Sequence, residues 1–473
     1  MIARNFFWLS AAQLVGLLVG LFSGIYARRV LGVAAIGEYT WCLALVAYFS
    51  VLVNPGLDTI AKRDTARDPS QTKRLVSQLL ALAVALALAG FLLLGVFAYS
   101  GLEGPTIGRL LALSSIALLF LPFNPTWLLQ AHERMIPPAI VQIVIQVLRL
   151  PVLVLLVREP GDVDRYILLA YPFQLGLIVY LTWYASRYGL VRWGEVRPTF
   201  RGAWPLLKEA LPLGASQGAI LLYYNFDTLL LGFLTGDRAV GIYSTAYGVM
   251  LIPTFLSGAL TSAYFPQLSR AHGNDLQSAT ISSDFLRVLV WMGMPLAALG
   301  WAFGRYGIVL LYGHEFAESG PLLEWLSPNL ALIFFSIGVG QPLTAWGLQR
   351  KHLRVTLSGA VVNVVLNCVM IPRFGVWGAV VTTLLAEFLV GIGCIWVRRT
   401  YIRLSWWRIV AKPFLVCVVA ALIGRHLAAE YPDQWFVCAM LITGGILIAF
   451  WISERTNLAV LMRRLQGPEH TGP

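Results

Sequence analysis

The chain alternates long uncharged stretches with short polar ones. Residues 6–27, FFWLSAAQLVGLLVGLFSGIYA, hold no charge over 22 positions, and a helix of that length, rising 1.5 Å per residue, spans the ~30 Å hydrocarbon layer of a bilayer. Further stretches of this kind, bounded by charged and turn residues, lie at about 37–61, 75–99, 109–131, 137–157 and 165–186. A second series follows at 206–235, 239–268, 285–311, 323–347, 353–371, 376–397, 411–429 and 435–453. The pattern predicts an all-α integral membrane protein of about 14 transmembrane helices. The first stretch is longer than the roughly 7–15-residue core of a signal peptide and lacks an Ala-x-Ala site after it, so it is expected to remain as a span.

Composition agrees: 58% of residues are hydrophobic and 12% charged, against about 25% charged in soluble domains. Lys62, Arg63, Arg67, Lys73 and Arg74 cluster between the second and third spans, and Arg187, Arg192, Arg197 and Arg201 between the sixth and seventh, with Lys208 at the start of the seventh. Basic short loops mark the cytoplasmic side, which places both termini in the cytoplasm. The same distribution reassigns the net charge of +12: basic residues spread over short loops face anionic lipid, whereas nucleic-acid binding needs one clustered basic face.

No span carries a recognisable catalytic motif. The longest stretch outside the membrane, about 187–205, is too short to fold alone, since independent domains need roughly 50 residues. The six histidines show no metal-ligand spacing, the five cysteines form no Cys-x-x-Cys pair, and no Gly-x-x-x-x-Gly-Lys phosphate loop is present. The expectation is a transporter without metal or cofactor, driven by an ion or substrate gradient with a proton or cation as a candidate coupling ion, rather than an enzyme.

AIGEYT at 35–40 returns as AVGIYS at 239–244, 204 positions later. Leu31-Gly32 precedes the first and Leu231-Gly232 the second, and WLLQAHER at 127–134 has a partner in WGLQRKH at 346–352. These matches predict two pseudo-symmetric six-helix lobes, 1–186 and 206–400, with a cytoplasmic linker at 187–205, two extra helices within 401–455 and a cytoplasmic tail at 456–473. Parallel repeats about an axis along the membrane normal suit alternating access.

Four stretches carry a family resemblance: YARRVLGVAAIGEYTWCLALVAYFSVLVNPGLDTIAKRDTAR (26–67), NFDTLLLGFLTGDRAVGIYSTAYGVMLIP (225–253), YFPQLSR (264–270) and LSGAVVNVVLNCVMIPRFGVWGAVVTTLLAEF (357–388). They resemble the polysaccharide members of the multidrug/oligosaccharidyl-lipid/polysaccharide exporter superfamily, nearest to the O-antigen and capsule repeat-unit flippases (Wzx type). The resemblance implies a V-shaped pair of lobes around a cationic cavity. It also implies a cargo of undecaprenyl-diphosphate-linked oligosaccharide, moved across the bacterial inner membrane for surface polysaccharide such as the O-antigen of lipopolysaccharide. Polymerase and chain-length proteins of the same pathway are the implied partners, beside membrane lipids. Two other functions stay open at this stage, a multidrug exporter of the same superfamily and a membrane polymerase or ligase of lipid-linked sugars.

A diphosphate crossing a low-dielectric layer calls for arginine. Arg149, in QIVIQVLRLPVLVLLV, lies mid-span, where a charge costs ~2.5–3.5 kcal/mol and faces either a cavity or a carboxylate partner. Arg28, Arg29 and Arg305, near the outer ends of their spans, either ring the cavity mouth or snorkel to lipid phosphate. Asn124, Gln142 and Gln146 bond either sugar hydroxyls or neighbouring helices. Asp227 and Glu387 are intramembrane carboxylates placed to carry a coupling ion or to pair with an arginine. Asp58 stands four residues before Lys62, the spacing of a helical ion pair, and Glu38, which the second repeat replaces with Ile242, is a coupling or ion-pair candidate whose pairing with Arg28 or Arg29 across the outer turn stays open.

Overall fold

A computed structural model describes residues 2–101, 104–401 and 405–465. The apolar runs become helices because a helix alone satisfies every backbone polar group within one segment in lipid. Among the described residues thirteen stretches are long and apolar enough to cross a membrane, one fewer than the fourteen expected. The difference lies at the amino end, where the expected spans 6–27 and 37–61 fall within one stretch, Ala11–Arg67, of 57 residues. At 1.5 Å per residue that stretch is about 85 Å long, room for two crossings.

The chain divides into two compact units, Met1–Ile242 and Tyr243–Pro473. The first holds α1 (Ile2–Val53), α2 (Leu57–Arg67), α3 (Thr72–Tyr99), α4 (Pro105–Phe120), α5 (Thr126–Ala131), α6 (Ile136–Leu156), α7 (Val163–Leu168), α8 (Ala170–Arg187) and α9 (Ala203–Thr235), and α10 (Asp237–Leu251) begins in it. Inside α1 the backbone leaves the helix at Gly32 (φ 80°, ψ 177°), so two spans join at a single residue. Gly236, between α9 and α10, takes nearly the same conformation (φ 89°, ψ 174°), one that side chains with a Cβ rarely adopt. The structural counterpart of Gly32 is therefore Gly236 and not Gly232, and the repeat is in register over Gly32-Val33 and Gly236-Asp237.

That register has a packing consequence. A Cβ on Gly37 would overlap the carbonyl oxygen of Asp237, and one on Gly241 would overlap the carbonyl oxygen of Val33. Each glycine of the repeat thus receives the backbone of the other copy's first turn, at matched positions. Helix α9 belongs to this unit by contact: the Trp41 indole donates to the Leu229 carbonyl at 3.2 Å, Tyr48 to Leu221 at 3.4 Å, and Arg63 pairs with Glu209 at 2.6 Å.

The segment between α8 and α9 is pinned onto α3. Thr199 N donates to Ser77 O at 3.2 Å, Gln78 Nε2 to Arg201 O at 3.0 Å, and Lys73 pairs with Glu195 at 2.9 Å. A core of Leu57, Val76, Leu79, Leu128, Leu181 and Leu206 lies behind it.

The second unit contains α11 (Thr254–Arg270), α12 (Asp275–Tyr312), α13 (Ser319–Ala345), α14 (Gln349–Phe374), α15 (Val376–Arg398), α16 (Trp406–Glu430) and α17 (Trp435–Leu465). Polar groups buried in its helices are satisfied sideways, as in other membrane bundles. Asn367 Nδ2 donates to Asn363 Oδ1 at 3.0 Å, the Thr382 hydroxyl donates to Asn367 Oδ1, and Trp291 Nε1 donates to Glu454 at 3.1 Å. Helices α16 and α17 dock on α12 through Phe303, Ala428, Cys438 and Ile442, and the Tyr306 hydroxyl donates to Ala428 O at 2.7 Å. Helix α17 extends to Leu465, so the expected tail from 456 begins inside a helix, and its last residues, 466–473, lie outside the described residues.

Candidate functional site

Gln142, Gln146 and Arg149 occupy positions i, i+4 and i+7 of α6, which share one face of a helix. Two of the three have a buried polar atom with no hydrogen-bond partner: Gln146 Oε1 and Arg149 Nε. Gln146 packs on Gly16 of α1, where a Cβ would come within 2.7 Å of its side-chain oxygen. Gln142 is exposed. Among the described residues Arg149 makes no ion pair, which removes the carboxylate partner, and Asp227 in particular, from the alternatives open in the sequence. Elsewhere in the unit the Tyr39 ring meets Tyr166 edge-on at 4.9 Å. A mid-span guanidinium with a buried donor nitrogen unused suits an incoming anion.

Glu38 sits one residue past Gly37, in the neighbourhood of Asp237 and Arg109, and among the described residues it makes no ion pair with Arg28 or Arg29. The reason is the packing described above: Gly37 lies on the Asp237 carbonyl, so Asp237 is carried to Glu38. Arg109 in turn pairs with Asp164 at 3.3 Å. Arg28 is half-buried and donates to Gly24 O at 3.4 Å, while Arg29 is exposed.

The remaining candidates are more dispersed. Asn124 Oδ1 accepts from Thr126 N at 3.1 Å and from the Thr126 hydroxyl at 2.6 Å, closing a local side-chain turn just before α5. It also lines an apolar cavity of about 900 Å³ between α3, α4 and α8. Asp227 is 3% exposed and accepts from Thr228 N at 2.7 Å. Asp58 is half-buried, and its expected pairing with Lys62 does not form as an ion pair: Lys62 donates to Gln130 Oε1 at 3.2 Å, because α5 packs beside α2 and offers a neutral acceptor. Glu387 is buried in α15 one turn beyond Thr383, whose hydroxyl bonds that of Tyr243 at 3.3 Å.

Arg305 is engaged. Its Nε and Nη2 donate to the two oxygens of Glu324 at 2.6 and 2.9 Å, and Arg425 reaches the same carboxylate at 3.5 Å while lying over the Trp301 ring at 4.6 Å. Glu324 is 2% exposed. Glu324 is a lone carboxylate in an apolar run, the same signal that marks Asp227 and Glu387, whereas Glu454 stands beside Arg455 just past the end of its run and carries no such signal. Among the described residues no group of three or more His, Cys, Asp or Glu side chains is arranged to hold a metal ion.

Comparison with known proteins agrees with this architecture. The chain is similar to a Shigella dysenteriae protein named "Putative O-antigen transporter", 26% identical over 381 residues, 77% of this chain and 92% of that one. Its fold matches that of the lipid II flippase MurJ in an inward closed conformation, with a TM-score of 0.78 at 14% identity over 95% of this chain and 99% of the other. It also matches an inward-facing multidrug-resistance MATE transporter, with a TM-score of 0.64 at 15% identity over 84% and 98%. Residues 2–272 match the family described as polysaccharide biosynthesis protein, and over half of the chain lies within that match: the chain belongs to this family of multi-helix membrane proteins.

Proposed function

We propose that this chain is a flippase that moves undecaprenyl-diphosphate-linked oligosaccharide repeat units across the bacterial inner membrane, by alternating access, for surface polysaccharide biosynthesis. The observation that carries the reading is Arg149, a mid-span guanidinium with a buried, unused donor and no carboxylate partner, in a chain of the polysaccharide biosynthesis family. The cargo's diphosphate is its most costly part to bring into a low-dielectric layer. A planar guanidinium offers that group paired hydrogen bonds with its charge already in place. Gln146 and Gln142, on the same face of α6, are placed to bond sugar hydroxyls, and Arg28 and Arg29 extend the positive field along α1.

The sequence repeats 1–186 and 206–400 act as the two lobes, the second beginning with α9, which packs within the first compact unit; 187–205 serves as a cytoplasmic linker and both termini are cytoplasmic, as the basic loops indicate. Glu38, Asp58, Asp227 and Glu387 are the carboxylates available to a coupling proton or cation. Arg305, held by Glu324, serves the packing of the second unit. Relatives named as transporters and flippases support transport over catalysis. A multidrug exporter fits less well, because cationic drugs call for a carboxylate where α6 presents Arg149. The chain is expected to work beside a polymerase and a chain-length protein.

The test is deletion of the gene followed by extraction of lipid-linked intermediates. Accumulation of complete repeat units, restored to normal by the wild-type gene, supports flipping. Unchanged surface polymer with lost drug resistance overturns it.

A further inference from the structure

We propose that the apolar cavity of the first unit is a site for a resident anionic phospholipid, distinct from the path of the cargo. The cavity, about 900 Å³, is lined among others by Leu175, Val179 and Trp183. These three recur every four residues on α8 and are 50%, 58% and 56% exposed, so they form one open stripe. In a spanning helix an exposed apolar stripe meets acyl chains, and a chain enters the cavity along it.

The other end of the cavity is made by Ser186, Trp193, Val196 and Pro198, from the segment that joins α8 to α9. That segment interleaves cations with the lining residues: Arg187 follows Ser186, and Arg197 stands between Val196 and Pro198. Arg187, Arg197 and Arg201 are exposed, and among the described residues none of the three closes an ion pair. The segment's single carboxylate, Glu195, is taken by Lys73 at 2.9 Å and Arg192 at 3.4 Å. An apolar slot whose end is built by a segment carrying three exposed arginines outside any ion pair is complementary to a lipid with a hydrocarbon chain and an anionic phosphate head, and basic residues in such a segment attract acidic headgroups. Trp183 and Trp193 stand where indoles anchor at the membrane surface.

The slot lies within one unit and reaches only the basic end of the helices. A carried lipid must leave that end, so a site confined to it retains its occupant. This favours a resident phospholipid over the tail of the cargo.

The full-length protein, purified in detergent and stripped of lipid, is titrated with phosphatidylglycerol, phosphatidylcholine of the same chains, and undecaprenyl diphosphate, with melting temperature and native mass spectra as readouts. The expected result is a rise of roughly 2–4 °C or more with phosphatidylglycerol, one lipid retained, and little response to phosphatidylcholine. The double variant Arg187→Gln/Arg197→Gln loses the preference for phosphatidylglycerol, and Thr182→Trp, which fills the slot, loses the shift. Equal responses to the two phospholipids in wild type and double variant overturn the proposal, as does a shift that survives Thr182→Trp. Binding of undecaprenyl diphosphate alone, abolished by Thr182→Trp, overturns the resident lipid in favour of cargo.

Discussion

Glu324 and Arg305, on adjacent helices of the second unit, are joined by two hydrogen bonds of 2.6 and 2.9 Å, and the carboxylate is almost wholly buried while the guanidinium is half exposed. The asymmetry sets what each substitution does. Glu324→Gln leaves Arg305 and Arg425 without their anion and removes charge from a buried site shaped for it, so it is expected to destabilise the protein by about 1–3 kcal/mol. Arg305→Gln leaves Arg425 to reach the same carboxylate and costs less. Thermal melting of the two variants in detergent checks the order, and transport by Arg305→Gln that tracks its residual folded fraction marks a structural role for this arginine.

Arg149 behaves in the opposite sense. Its Nε is buried and unused, so Arg149→Ala relieves an unsatisfied group and is expected to fold with unchanged or higher melting temperature while losing transport. Arg149→Lys keeps the charge but not the planar fork and retains partial transport. A flipping assay in proteoliposomes alongside thermal melting separates the two properties. Loss of stability in parallel with transport assigns the residue to packing.

Gly37→Ala and Gly241→Ala each place a methyl group on a carbonyl of the other copy's first turn. Backbone cannot yield as a side-chain tip can, so each is expected to cost about 1–3 kcal/mol and to lower transport strongly. Because the two contacts share one interface, the double variant is expected to cost less than the sum of the singles, which a thermal double-mutant cycle measures.

The segment joining α8 to α9 is tethered to α3 through an ionisable group, Glu195. The Lys73 ammonium, and then Arg192, hold the Glu195 carboxyl below its ordinary value. A carboxylate lowered in the folded state contributes above its unfolded value and loses that contribution as pH falls through the folded one. Protection of the amides of residues 188–202, taken relative to intrinsic exchange at each pH, is therefore expected to fall as pH drops below about 4.5, and Glu195→Gln to show the lower protection already at neutral pH.

The helices could be read in advance because uncharged runs of about 20 residues leave the chain no other structure in lipid. AIGEYT and AVGIYS marked real equivalents, yet the partner of Gly32 was misjudged: Leu231-Gly232 looked alike in sequence, while backbone conformation selects Gly236. Side-chain pairing was far less legible. Nothing in the local sequence ties Arg305 to Glu324, since that contact depends on how two apolar helices rotate about their axes, and helices apolar on every face give no stripe from which to read the rotation. Lys62 shows the same limit, because its correct spacing from Asp58 lost to Gln130 on a neighbouring helix. Along α6 the polar positions at 142, 146 and 149 were legible, for there the stripe exists.

The junctions at Gly32 and Gly236 have one more consequence. Where a single residue turns one crossing into the next, almost no chain stands clear of the membrane, and these two junctions offer a protease, an antibody or an inserted tag nothing to grip. At that end of the first unit such probes are left the connections after α3 and α6, while the opposite end carries the longer basic segment after α8.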